Sequence, residues 1–253
     1  MYRYDPEAEA VETVFRVGVV TAGFTVQDDG AFLLFSQAGT ILRWKDGQMI
    51  TVIPSLPGEE QHRFNDVITD PRGRVLAGTM SFGAPGHSGR LYQLGVDGSV
   101  RCLRDDLALS NGFGFSLDHQ TLYHADSVSL TIRQFDYDVE TGSVSTPRVF
   151  ARLDGSDGVP DGLTVDAEGF VWLAVWDGYR LIRYAPDGTI ERTIPIPAKK
   201  VTSLTFGGPD GTDLYVTTAG GDETAENGPL SGSVFRLRLG IRGVPEFLSR
   251  FPV

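Results

Sequence analysis

A small or polar residue stands eight places ahead of a tight turn at five points along this chain, and that spacing constrains the fold more than any other feature. Ala22 precedes Gly30, Asn65 precedes Gly73, Asn111 precedes His119, Asp161 precedes Gly169 and Ser203 precedes Gly211. After each, apolar and polar residues alternate, turn and alternate again, which predicts strand-turn-strand units over Gly23–Phe35, Asp66–Gly78, Gly112–Ala125, Gly162–Trp176 and Leu204–Thr218. A further strand-like run follows each unit, at Gly39–Trp44, Gly89–Leu94, Leu130–Tyr137, Gly178–Tyr184 and Gly232–Leu239. Turn signals at Asp46-Gly47, Asp97-Gly98, Thr141-Gly142 and Asp187-Gly188 then lead to a fourth strand.

Four short antiparallel strands about every 40–50 residues, with almost no helical periodicity, make an all-β fold of the β-propeller kind. A sandwich does not repeat so evenly. Residues 2–15 resemble residues 182–194, the outer half of a blade, so the chain enters the repeat in mid-blade. Five whole blades and an outer half give a six-bladed β-propeller with the first blade incomplete, its inner two strands missing, and a single domain over residues 1–253.

The first strand of a propeller blade lines the central channel, so residues at its start converge on one mouth. Asn65, Asn111 and Asp161 should therefore face a common point. Taken singly, each also reads as a turn residue bonding its own backbone; their shared register favours convergence. Three amide or carboxylate oxygens on one axis suit a hard cation such as calcium, magnesium or manganese.

Bulk properties exclude other classes. The net charge of -11 argues against a nucleic acid partner, whose phosphates need Lys and Arg. No apolar run approaches the ~20 residues of a membrane span, and Met1-Tyr2-Arg3-Tyr4-Asp5 lacks a signal-peptide pattern, so no membrane association and a cytoplasmic location are expected. Cys102 is the single cysteine, which leaves no internal disulfide and no thiolate cluster. His62, His87, His119 and His124 fall at unrelated blade positions, which disfavours a histidine zinc site. No Gly-x-Ser-x-Gly elbow is present. Trp172 reads as packing, and Trp176 with Asp177 as a candidate border of the mouth. No oligomeric state follows from these residues.

A series of short stretches also resembles the regucalcin/gluconolactonase, or senescence-marker-protein, family of six-bladed propellers. They are Arg63-Phe64-Asn65-Asp66, Gly78-Thr79-Met80, Ser110-Asn111-Gly112, Ser116-Leu117-Asp118-His119, Phe135-Asp136-Tyr137-Asp138, Pro160-Asp161-Gly162, Asp166-Ala167-Glu168-Gly169 and Phe206-Gly207-Gly208. They run in family order as far as Gly240-Ile241-Arg242-Gly243. The resemblance implies a metal-dependent lactonase acting on a small-molecule lactone. It implies one divalent cation, calcium first, with manganese, magnesium or zinc as alternatives. It makes Asn111 and Asp161 metal ligands, puts Asn65 close to metal or substrate, and associates Arg63 and Asp66 with substrate. Its glutamate ligand belongs to a Gly-Glu-Gly/Ser-Pro segment ahead of the position of Tyr2, outside residues 1–253. Weaker metal binding and lower stability would follow. Glu7, Glu9 and Glu12 lie nearby in sequence but in an outer-strand pattern that reads as solvated.

The expected chemistry is hydrolysis of a sugar lactone, the cation polarising the carbonyl and Asp161 acting as ligand and general base. Arg63, Asn65 and Asp66 would hold sugar hydroxyls, although Arg63 also reads as a surface ion pair and Asp66 as a turn residue. Hydrolysis of other esters or organophosphates is a variation on the same site. The competing class is a propeller that binds calcium or a small ligand without turnover.

Overall fold

The computed structural model describes residues 1–83 and 89–252. The chain opens with a two-stranded sheet, β1 (Tyr2–Asp5) and β2 (Ala10–Thr13), followed by five blades laid down in sequence order. The first blade is β3 (Thr21–Val26), β4 (Phe32–Ser36), β5 (Ile41–Lys45) and β6 (Gln48–Ile53). The second is β7 (His62–Thr69), β8 (Val75–Ser81), β9 (Gly89–Leu94) and β10 (Val100–Leu107). The third is β11 (Ser110–Phe115), β12 (Thr121–Asp126), β13 (Thr131–Tyr137) and β14 (Val144–Arg152). The fourth is β15 (Val159–Val165), β16 (Val171–Trp176), β17 (Arg180–Tyr184) and β18 (Ile190–Pro195). The fifth has three strands, β19 (Val201–Gly207), β20 (Asp213–Thr218) and β21 (Val234–Arg238), with one helical turn, α1 (Thr224–Asn227), between the last two. Each sheet is an antiparallel meander, and the innermost strands β3, β7, β11, β15 and β19 pack side by side in that order.

The fold is therefore an all-β propeller, with five blades among the described residues and the β1–β2 hairpin standing where the sequence predicts the outer half of a sixth. That hairpin lies between the first and last blades. Tyr4 meets Tyr215 of β20 edge-on, and Phe15 stacks on Trp44 of β5 with ring centres 4.7 Å apart. Glu7, Glu9 and Glu12 are exposed on it, as the outer-strand pattern requires. No helix among the described residues is long and apolar enough to cross a membrane.

Alternation explains the core. Residues facing the neighbouring blade are apolar and fully buried, such as Leu33, Phe35, Phe64, Val75, Leu122, Phe135, Val171 and Leu173, and they form four clusters between successive sheets. Two polar clusters lock turns into this core. Asp70 accepts bonds from Arg74 and Tyr137. Asp166, fully buried, accepts from Trp172 Nε1 at 2.8 Å and from Arg183 at 2.6 Å. Trp172 is thus a packing residue, as its pattern suggests.

The five predicted turns form one end of the propeller. Gly30, Gly73, Gly169 and Gly211 adopt positive φ there, and His119 does so at 57° in the equivalent place. The C-terminal segment runs across this end. Arg242 O accepts from Ala167, Gly243 donates to Gly211 O, Ser249 donates to Val26 O and Arg250 donates to Gly73 O. Pro245, Glu246, Phe247 and Leu248 thereby floor the central cavity, which has a volume of about 650 Å³. Asp66 and Ser203 also line it.

Candidate functional site

A β-bulge defines the opposite mouth of the channel. The register with the second strand of the blade slips between Thr21 and Gly23 in β3, Phe64 and Val67 in β7, Ser110 and Phe113 in β11, Pro160 and Leu163 in β15, and Val201 and Ser203 in β19. The slip falls at or beside the residue eight places ahead of the turn in all five blades. A bulge releases one or two residues from the ladder and re-aims their side chains. Asn65 and Asp66, Asn111 and Gly112, and Asp161 and Gly162 are the pairs released in the second, third and fourth blades.

Two glycines let these blades close on one another. A Cβ added to Gly112 would lie 2.2 Å from the backbone nitrogen of Leu163, and one added to Gly162 would lie 2.7 Å from Ser203 Cα. Only hydrogen fits at either position, so the Asn-Gly and Asp-Gly pairs are a packing requirement as much as a turn signal.

Hydrogen bonds then join the three polar residues across the seams. Asn65 Nδ2 donates to Ser110 O at 2.8 Å, reaching from β7 to β11. Asn111 Nδ2 donates to Ser127 Oγ at 3.0 Å, and Ser127 Oγ–H donates to Pro160 O at 2.6 Å, the residue beside Asp161. Arg63 Nη1 donates to Asn65 Oδ1 at 2.7 Å and to Phe64 O. The structure thus brings Arg63, Asn65, Asp66, Asn111 and Asp161 into one neighbourhood. Ala22 and Ser203 add no titratable group to it.

The electrostatics are unbalanced. Burial pushes Asp66 up to about 6, only partly opposed by the charge of Arg63. Asp161 is held well above the usual carboxylate range, first by burial and then by Asp66; a hydrogen bond from Asn111 and the charge of Arg63 pull the other way. Arg63 is itself lowered by burial, against the attraction of Asp161 and Asp66. Two carboxyls and one guanidinium therefore share a poorly solvated mouth, and both carboxyls favour gaining a proton or a cation.

The donor chemistry fits a hard divalent ion. Asp161 offers carboxylate oxygens, and Asn111 Oδ1 accepts no hydrogen bond from the protein among the described residues. Asn65 Oδ1 is engaged by Arg63, so of the expected ligands its oxygen is the one already committed. No group of three or more His, Cys, Asp or Glu suited to a metal occurs among the described residues, so any site here must draw on amide oxygens as well. Oxygen donors of this kind match calcium, magnesium or manganese better than zinc.

Among the described residues, no histidine joins this set. His62 begins β7, beside buried Glu59. His119 occupies a turn tip at the floor against Phe247, and His87 lies outside the described residues. His124 is buried, bonded through Nε2 to Ser110 Oγ at 2.8 Å and lowered by burial to about 4, so it is a neutral packing residue. Cys102 is exposed on β10. Trp176 ends β16 with Lys200 Nζ 5.4 Å from its ring centre. The residue missed by the sequence reading is Ser127, which follows β12 outside the repeated register. The bulges also left no sequence signal beyond the polar-glycine pairs.

Comparison with known proteins gives a consistent picture. Residues 1–220 match the SMP-30/Gluconolactonase/LRE-like region. Pentonolactonase XacC from Haloferax volcanii is 39% identical over 259 residues, covering 98% of this chain and 86% of that protein. Regucalcin from Xenopus laevis is 36% identical, covering 96% of this chain and 84% of its own length. The solved structure of regucalcin from Agrobacterium tumefaciens, described as a calcium-binding protein, superposes with a TM-score of 0.90 at 27% identity, covering 98% of this chain and 85% of that one. The family model and these relatives together show that the chain belongs to the SMP-30/gluconolactonase/LRE-like family.

Proposed function

We propose that this protein is a divalent-metal-dependent hydrolase of sugar lactones, acting in the cytoplasm, with its site at the bulged mouth of the propeller. The observation that carries the reading is the pairing of two proton-hungry carboxyls, Asp66 and Asp161, with Arg63 and an amide oxygen of Asn111 at one mouth. Lactonase relatives in the same family support the substrate class. We read the β1–β2 hairpin as the outer half of a sixth blade, which sets the ring at six-fold spacing.

Asp161 and Asn111 would hold the cation, with Asn65 able to join only if Arg63 releases its oxygen. Calcium is proposed first because the regucalcin of Agrobacterium tumefaciens is described as a calcium-binding protein. When bound, the cation would supply Lewis-acid polarisation of the lactone carbonyl. Asp161 would accept a proton from the attacking water through its free carboxylate oxygen, a task suited to a carboxyl whose proton affinity is raised. Water oxygen bonds to the carbonyl carbon, the ring C–O bond breaks, and the proton passes to the departing ring oxygen, which becomes the hydroxyl of the hydroxy acid. Arg63 and Asp66 would bind ring hydroxyls as donor and acceptor.

The test is lactone hydrolysis by folded protein with added calcium, manganese, magnesium or zinc, alongside Asp161→Ala and Asn111→Ala. Turnover that needs the metal and falls at least ~100-fold in Asp161→Ala is expected. Absence of turnover with every metal, or full activity in both variants, would sink the proposal.

A further inference from the structure

We propose that Ser127 is a positioning residue: its hydroxyl fixes the amide of Asn111 so that the oxygen, and not the nitrogen, is left for the channel mouth. The inference rests on the metal reading above for its functional meaning, though not for its geometry. Pro160 O can only accept, so the 2.6 Å contact requires Ser127 to donate its one proton there. Ser127 Oγ then has only lone pairs to offer Asn111, and the 3.0 Å contact must be made by Nδ2. The Ser127 contact therefore demands the nitrogen, and Oδ1 has no competing protein donor among the described residues.

The arrangement links three elements. Ser127 sits just beyond β12, Asn111 lies on β11 and Pro160 on β15, so the orientation of one amide depends on the docking of the third blade against the fourth. Ser127 and Asn111 are both buried, which keeps water from substituting for the hydroxyl. Asn65 provides the contrast. Its amide is fixed at both ends, by Ser110 O and Arg63, and the fixing consumes its oxygen.

Four variants test this: Ser127→Ala, Ser127→Thr, Asn111→Asp, and the Ser127→Ala/Asn111→Asp double variant. Calcium and manganese affinities are measured by calorimetry, and the Asn111 side-chain amide is followed by NMR on metal-free protein. Loss of an orienting partner of a metal ligand typically weakens affinity 10–100-fold, which is the expectation for Ser127→Ala, with Ser127→Thr close to the parent. Aspartate presents an oxygen whichever way it turns. Asn111→Asp should therefore raise affinity at least about tenfold more in the Ser127→Ala background than in the parent, where the carboxylate would face the Ser127 lone pairs. Without metal, hydrogen exchange of the Asn111 amide should be slow in the parent and in Ser127→Thr and fast in Ser127→Ala.

Unchanged exchange in Ser127→Ala overturns the proposal, and so does an affinity loss that Asn111→Asp does not repair. A parent that binds neither metal refutes the metal reading instead, and the exchange experiment still decides whether Ser127 fixes the amide.

Discussion

Replacing Asp66 by asparagine should make the metal-free protein more stable at neutral pH. Burial raises the Asp66 carboxyl to about 6 from an ordinary 3.8. At ~1.36 kcal/mol for each tenfold change in proton affinity, that gap is worth ~3 kcal/mol against the folded state when the group is ionised. Asp66 lines a cavity that water can enter, so the realised penalty is about 1–3 kcal/mol. Because the folded state holds the proton more tightly, folding takes up a proton between pH 6 and 4. The penalty is complete above pH 6 and disappears as pH falls through that window. Asp66→Asn also removes the like charge that raises Asp161, which adds in the same direction.

At ~2.1 cal/mol/K per residue of unfolding entropy, the melting temperature should rise by about 2–6 °C at pH 7.5, and the difference from the parent should be near zero by pH 4. Thermal or urea unfolding of both proteins in chelator measures it. A variant that is less stable at pH 7.5, or a gain that persists at pH 4, would refute the electrostatic account of the mouth. Lactonase activity should fall in the same variant, because a group that destabilises the apo site is one the site retains for binding.

Two further outcomes concern the frame. Asp166→Ala leaves Arg183 buried without its anion and Trp172 Nε1 without an acceptor, and should cost about 3–5 kcal/mol in urea unfolding at any pH above the carboxylate range. Gly112→Ala forces a methyl against the backbone of Leu163, so the third and fourth blades must separate; a stability loss of about 1–3 kcal/mol is expected, with metal affinity falling as Asn111 and Asp161 move apart.

The architecture was legible because each blade repeats one alternation with one turn, and a repeated error is harder to make than a single one. The register of Asn65, Asn111 and Asp161 followed from the same count, since strand rise fixes how far a residue lies from the turn. The bulges were not legible. A bulge is a mismatch between two strands, and neither strand alone encodes it; Pro160-Asp161-Gly162 reads equally well as a regular strand start. Ser127 was hidden for a related reason. It acts through Pro160, 33 residues away, across a blade seam that no local pattern describes. The helical turn at Thr224–Asn227 is too short to carry a period, and the C-terminal floor depends on backbone bonds to four separate turns.

What distinguishes the mouth from the rest of the repeat is a break in symmetry at the place just after each mouth residue. Glycine fills that place in the first, third and fourth blades, where added Cβ atoms would meet Asn65 O at 2.9 Å, Leu163 N at 2.2 Å and Ser203 Oγ at 2.5 Å. Three seams are therefore closed by direct approach of inner strands. The fifth blade carries Leu204 there, and the second carries Asp66. Its seam with the third blade is joined by the Asn65 amide reaching Ser110 O, and the space that glycine would have surrendered holds a carboxyl beside Asp161. One substitution within the repeat thus turns a packing position into the second negative charge of the mouth. The raised proton affinities of Asp66 and Asp161 have the same first cause, the partial burial of both carboxyls where the inner strands converge.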